Sequence, residues 1–211
     1  MGDNEDYYDN EDYYDSAEAN ISYVCSSWAP IFGFGGCAAA VVLANLGGAF
    51  GTAKAGQGMM AMGIRSPELL MKNIIPVVMA GVLGIYGLIV AVILNGKMML
   101  PDAGGNTTYS VYSGFAHFAA GICCGLASLA SGLAIGISAD AGTRAVGAQS
   151  AMAASWKKMG FTGDAGGQVT SSGDALFVGT VLIQVFAGNL GLYGLITALI
   201  LSQLDYSCAD D

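Results

Sequence analysis

Apolar residues run almost without interruption through four stretches of this 211-residue chain: Pro30 to Thr52, Ile74 to Leu94, Gly114 to Ile137 and Ala175 to Leu201. A helix needs about 20 such residues to cross the hydrocarbon core of a bilayer. The pattern predicts an all-α membrane protein with four transmembrane helices. The polar positions divide the chain accordingly. Residues 1–27 form an acidic tail, 28–96 a first hairpin, 97–113 a connecting loop, 114–144 the third helix, 145–174 an insertion, 175–203 the fourth helix and 204–211 a short tail.

The second and fourth apolar runs carry nearly the same text. Met79-Ala-Gly-Val-Leu-Gly-Ile-Tyr-Gly-Leu-Ile-Val90 and Phe186-Ala-Gly-Asn-Leu-Gly-Leu-Tyr-Gly-Leu-Ile-Thr197 agree at eight of twelve positions. Identity at that density marks a duplicated unit, so the four helices are expected as two duplicated hairpins. The first and third helices differ from their partners in side-chain size. Gly36, Ala40, Ala44 and Gly48 recur at four-residue spacing in the first. Gly121 and Gly125, then Gly132 and Gly136, do so in the third, with Ala127, Ser128 and Ser131 between. Small residues on one face let backbones approach closely, which is the main attraction between helices in lipid. The second and fourth helices keep bulky Ile, Val, Leu and Phe. This alternation suits concentric packing with the small-faced helices inside; a dimerisation face is the plainer alternative.

Composition agrees with the membrane reading: 54% of residues are hydrophobic, 11% are charged, and 32 are glycine. The net charge of −9 describes a tail and not a binding surface, because eight of the 16 acids lie between Met1 and Glu18, and nothing points to nucleic acid. That tail repeats Asp-Asn-Glu-Asp-Tyr-Tyr at residues 3–8 and 9–14 and has no aliphatic residue from Gly2 to Ser16. It is expected to be a solvated arm; the alternative is that its acid-flanked tyrosines are modified or bind a basic partner. It also lacks the basic start and apolar core of a cleavable signal.

Basic residues set the orientation. Lys54, Arg65 and Lys72 follow the first apolar run, Arg144, Lys157 and Lys158 follow the third, and only Lys97 lies in the second connection. The positive-inside rule then puts the first and third connections in the cytosol and both termini on the lumenal side. The sequons at Asn20 and Asn106 fall on that lumenal side and are candidate glycosylation sites.

Candidate chemistry is sparse. Cys37, Cys123 and Cys124 lie within helices as small apolar residues. Cys25 and Cys208 flank the bundle on the lumenal side, where a bridge is conceivable. His117, near the start of the third helix, is expected to pack or sit at an interface. No zinc spacing, phosphate loop or nucleophile–base pair is present, so no metal, cofactor or independent catalysis is expected.

Several blocks resemble the proteolipid c subunit of the vacuolar-type (V-type) proton ATPase. They are Gly33-Phe-Gly-Gly-Cys-Ala-Ala-Ala40 with Gly51-Thr-Ala-Lys-Ala-Gly56, Arg65-Ser-Pro-Glu-Leu-Leu-Met-Lys72 running into Ile74 to Ile89, Gly114-Phe-Ala-His117, Gly125-Leu-Ala127, Gly132 to Gly136 and Asp140-Ala-Gly142. The likeness extends from about Trp28 to Gln203. It implies a ring-forming proteolipid, with the first and third helices lining the inside; Gly36, Gly48, Gly125 and Gly132 are then ring-packing residues. It also implies partners: other proteolipids in a homo- or hetero-oligomeric ring, an arginine-bearing stator subunit, the central stalk of a soluble ATPase sector, and membrane lipid. The alternative is a structural or channel-like proteolipid assembly not coupled to ATP hydrolysis.

In the family so resembled, one glutamate on the fourth helix, near mid-membrane, carries the proton. It must be neutral while it faces lipid, because a charge there costs several kcal/mol. That glutamate stands five residues before the Tyr-Gly-Leu-Ile of the fourth helix, and counting back from Tyr193 reaches Gly188. No Asp or Glu occurs between Leu176 and Leu201. Gln184 and Asn189 are the polar residues nearby, and with Gly188 and Tyr193 they form the expected ion-site neighbourhood. An amide can line such a site but cannot carry the proton. The chain is therefore expected to be a divergent member without its own proton carrier. The 145–174 insertion is expected to be a flexible loop, or one whose Ser155-Trp-Lys-Lys-Met159 touches the membrane surface or the rotor stalk.

Overall fold

The computed structural model describes residues 28–64, 67, 70–98, 109–158 and 164–204. Four long helices make up nearly all of it: α1 (Ala29–Gly63), α2 (Ile75–Lys97, entered through a tight turn at Lys72–Ile74), α3 (Val111–Lys158) and α4 (Asp164–Ser202). Each contains a segment long and apolar enough to cross a membrane. The chain is an all-α, multi-pass integral membrane protein. Pro30 and Pro76 sit in the first turns of α1 and α2, where a missing N–H leaves no helical bond unmade. Ser110 caps α3, its Oγ accepting from the Ser113 N–H at 3.2 Å.

The inner pair is held by glycine. A Cβ built on Gly114 would meet the Ala29 carbonyl at 2.8 Å, and on Gly136 the Gly51 Cα at 3.1 Å. On Gly121 it would run into Gly36 and on Gly132 into Gly47; on Gly58 it would strike Thr143, and on Gly147 the Met62 side chain at 2.7 Å. The two residue numbers differ by the same amount in all six pairs, so α1 and α3 lie side by side, parallel and in constant register from Ala29 to Met62. At these positions any side chain would push two backbones apart, so the stripes predicted from spacing are contacts within one chain. They do not all face α3, however. A four-residue spacing drifts by about 40° per step round an α-helix. Gly36 meets α3 at His117, whereas Ala40 and Ala44 meet Gly87 and Gly48 meets Ala80 on α2. The stripe that looked single divides between two neighbours.

The duplicated motif has one job in both hairpins. A Cβ on Gly87 would meet the Ala44 Cβ at 2.5 Å and the Ala40 carbonyl at 2.6 Å. On Gly194 it would run into the Ala127 Cβ, with the Cys123 carbonyl at 3.5 Å. The glycine of each Tyr-Gly pair thus seats its outer helix against the inner partner. Within the bundle α2 and α4 run parallel to each other and antiparallel to α1 and α3, and α3 touches all three other helices. Two apolar clusters fill the interior, one of Ala40, Val90, Leu94, Ala120, Cys124, Leu195 and Ala198, the other of Ala80, Leu83 and Ile135.

The helices outrun the apolar segments on one side. α1 continues from Thr52 to Gly63, α3 runs on to Lys158, and α4 begins at Asp164, so most of the 145–174 segment expected as a loop is helix. Leaving the bilayer ends hydropathy but not hydrogen bonding, and Ala145 to Lys158 is alanine-rich and free of proline. Lys54, placed by hydropathy in a connection, lies within α1. Gly47 and Gly132 are equivalent in the inner pair, and Gly87 and Gly194 are equivalent in the outer one. The path from Gly132 to Gly194 is longer than that from Gly47 to Gly87 by about six helical turns. The prolonged ends of α3 and α4 take up that excess.

Candidate functional site

The fourth helix meets α3 at Gly194, α2 and α3 at Gly191, and both more loosely at Gly188. At Gly191 a built Cβ would come within 2.7 Å of Leu83 Cδ2 and 3.4 Å of Ser131 Oγ, and Gly194 lies tighter still. Ser131 Oγ donates to the Ala187 carbonyl at 2.6 Å and ties the two helices here. At Gly188 a Cβ would meet only the Met79 methyl at 3.3 Å and the Ile135 Cδ1 at 4.0 Å. Both are the ends of flexible side chains. Glycine is therefore demanded by packing at position 194, whereas at 188 a Cβ fits once the Met79 methyl gives by a few tenths of an ångström.

Gln184 lies one turn away on the same face of α4, and it is fully buried. Among the described residues neither its Oε1 nor its Nε2 has a hydrogen-bond partner. Asn189 is half-buried, and Tyr193 points outward with 61% of its surface exposed. Of the four residues expected together, the structure brings Gln184 and Gly188 together and turns Tyr193 away. The reason is geometric: five steps along a helix carry Tyr193 about 140° round from Gly188.

The depth of this site can be judged in two ways. By length alone Gly188 lies near the middle of the apolar segment Leu176–Ser202. The register with α3 relates it to charge as well, since Gly188 stands opposite Ile135 and Thr180 opposite Gly142. On α3, Arg144 Nε donates to Asp140 Oδ1 at 2.7 Å, and this half-exposed ion pair belongs at a membrane face. Ile135 is five residues from Asp140, so Gly188 lies about 7.5 Å along the helix axis from the level of that ion pair, at 1.5 Å per residue.

At the other end of the bundle His117 is buried, its Nδ1 2.6 Å from the Tyr109 hydroxyl. Gly33 admits this pair, since a Cβ there would meet the Tyr109 hydroxyl at 2.9 Å. His117 thus packs between α1 and α3. Phe32 stacks on Phe115 nearby with ring centroids 4.6 Å apart. Asn20, Asn106, Cys25 and Cys208 lie outside the described residues. Cys37 Sγ reaches the Ala91 carbonyl at 3.5 Å, and Cys123 Sγ lies 3.3 Å from Thr197 Oγ1, so these cysteines serve as packing groups.

The family model for the C subunit of ATP synthase matches residues 35–94 and again 118–201, once for each hairpin. The chain belongs to that family. Similar proteins narrow the branch. A V-type proton ATPase 16 kDa proteolipid subunit of Chrysotila carterae is 49% identical over 189 residues, covering 90% of this chain and all of that protein. A V-type proton ATPase 16 kDa proteolipid of Caenorhabditis elegans, the c 2 form, is 45% identical over 176 residues, 83% of this chain and 92% of its own length. The c' subunit of the V-type proton ATPase of Saccharomyces cerevisiae is 45% identical over 175 residues, 83% and 89% of the two chains. The chain is a V-type proteolipid of this family, a ring-forming, non-catalytic membrane subunit. The two matched segments are the two hairpins described above, and the gap between them, 95–117, covers the connection from α2 to α3.

Proposed function

We propose that this chain is a c-type proteolipid of the V0 rotor ring of a V-type proton-translocating ATPase, and that it takes part in ATP-driven proton transport without a proton-carrying carboxylate of its own. The observation that carries the second half is the pairing of room with absence. A Cβ at position 188 would meet only the movable side-chain ends of Met79 and Ile135, yet α4 holds no acid from Leu176 to Ser202. A glycine required by packing would have had a structural reason; this one has none.

A carboxylate in that place would need to be neutral in lipid, since an ionised Asp near a helix centre costs about 2.5–3.5 kcal/mol. Gln184 is never charged and meets no such constraint, which also means that it cannot exchange a proton. The chain then contributes shape and contacts to a mixed ring whose other copies carry protons. On this reading the prolonged ends of α1, α3 and α4 face the cytosol and the central stalk. Both termini are lumenal, and the organelle is a vacuole, lysosome or other endomembrane compartment. An arginine-bearing stator subunit would pass Gly188 without an ion pair to break.

Affinity purification of the tagged full chain from its own membranes tests this. Recovery together with carboxylate-bearing proteolipids, the stator subunit and the central stalk is expected. Recovery in an assembly of this chain alone, with no ATPase subunit, would refute it and favour a proteolipid uncoupled from ATP hydrolysis.

A further inference from the structure

The two hairpins pack on one another within the chain, and the duplication leaves the counterpart of that contact open at the outer edge of each. Ala40 and Ala44 seat Gly87 as Cys123 and Ala127 seat Gly194. Inner-helix positions therefore correspond at an offset of 83 (Ala44 to Ala127) and outer-helix positions at 107 (Gly87 to Gly194). The residues agree, since Leu43-Ala-Asn-Leu46 matches Leu126-Ala-Ser-Leu129. We propose that a second copy of this chain packs its α3 and α4 against α1 and α2, in the register obtained by repeating the contact between the hairpins. The proposal rests on the ring fold and not on coupling to ATP hydrolysis.

The inner helices support it first. Within the chain Gly36, Gly47 and Gly51 of α1 meet Gly121, Gly132 and Gly136 of α3. Applying the offset pairs Ala119, Ala130 and Ala134 of one copy with Ala38, Ala49 and Ala53 of the next. All six are alanine and all six are exposed in the single chain, although Phe34, Leu46, Phe50 and Leu133 show that these helices also expose bulky residues. The outer helices agree. Leu83 presses on Gly191 within the chain, and the counterparts are Leu190, which is exposed, and Gly84. A groove gives the third support. Val90 and Leu94 of α2 share one buried cluster with Ala120, Cys124 and Ala198. The counterparts of those last three, Cys37, Val41 and Ala91, line an open groove between α1 and α2. The counterpart of Leu94 is Leu201, so the second copy's Leu201 is the side chain that fills it. The same contact covers Asn45, the exposed counterpart of the buried Ser128, and removes its amide from lipid. Glycine pairs within a chain and alanine pairs between chains also make the two contacts unequal. The added methyl groups hold neighbouring copies farther apart than the hairpins of one copy, so an assembly should come apart into whole chains.

The test co-expresses two differently tagged full chains, with the native cysteines replaced, in one membrane. One carries Ala49→Cys and the other Ala130→Cys, and a membrane-permeant oxidant is added. Only a bond between copies gives a product with both tags. At least tenfold more of that product is expected than from Ala49→Cys with Ala119→Cys, which the register sets 11 residues apart. Equal or absent product from copies that still copurify would overturn the register, and copies that never copurify would overturn the second copy as partner. A second measurement keeps the native cysteines. Ala130→Trp should abolish copurification of the two tags, whereas Ile196→Trp should not, because Ile196 and its counterpart Ile89 are both exposed and so face lipid. Copurification unchanged in Ala130→Trp would overturn the proposal. No ATPase subunit is present, so these results are independent of the rotor reading.

Discussion

Replacing Gly132 with alanine adds one methyl group where two backbones already touch. The new Cβ would run into the Gly47 carbonyl and lie 2.8 Å from the Gly47 Cα. Carbon pairs are most favourable at about 3.5–4.0 Å, so α1 and α3 must part by about 1 Å. A gap of that size forfeits about a quarter to a half of the dispersion energy of each contact it opens. The registered pairs on either side, Gly36–Gly121 and Gly51–Gly136, would loosen with it. Overpacking of this kind costs about 1–3 kcal/mol, and the loosened neighbours place this case at the upper end, about 3 kcal/mol. Alanine's better helix propensity returns up to about 1 kcal/mol, so the net loss is about 2 kcal/mol. Gly81→Ala is the control, because a Cβ there meets nothing within 4 Å and only the propensity gain remains. Unfolding of the full chain in mixed micelles, followed by circular dichroism, should separate the two variants by about 3 kcal/mol, the sum of these two effects. Equal stability would refute the inner-pair register.

Other substitutions follow from the same contacts. Gly188→Ala should be neutral or stabilising by up to about 1 kcal/mol, while Gly194→Ala, pressed against the Ala127 Cβ, should cost about 1–2 kcal/mol; the same titration orders them. Ser131→Ala removes one interhelical hydrogen bond to the Ala187 carbonyl and should cost about 0.6 kcal/mol, the usual worth of such bonds in a bilayer. Tyr109→Phe deletes the hydroxyl next to His117 Nδ1 and should cost about 0.5–1.5 kcal/mol, visible as a lowered thermal midpoint.

Much of this architecture was legible from sequence because a bilayer filters it so strongly. Four apolar runs of sufficient length leave little choice but four helices, and the eight identities between residues 79–90 and 186–197 reveal the duplication. Helix ends were not legible. Lys54, Arg144 and the residues after Ala145 stop an apolar run, yet they continue a helix, since polar side chains are welcome once the helix reaches water. The small-residue stripes announced close contact without naming the partner. Only the register shows that Gly36 serves α3 while Ala44 and Gly48 serve α2. At the candidate site the missing acid was plain from the sequence. That Gly188 is not required for packing, and that Gln184 is sealed in without a protein partner, depends on what α2 and α3 place opposite them.

The central claim is that this proteolipid keeps the ring fold and lacks the proton carrier. Rings built only from this chain, assembled with the stator and the soluble ATPase sector in sealed vesicles, would measure it directly through ATP-driven acidification. The account predicts no acidification by the wild-type ring and its appearance in Gly188→Glu, where the carboxyl group enters the space between Met79 and Ile135. Acidification by the wild-type ring would contradict it.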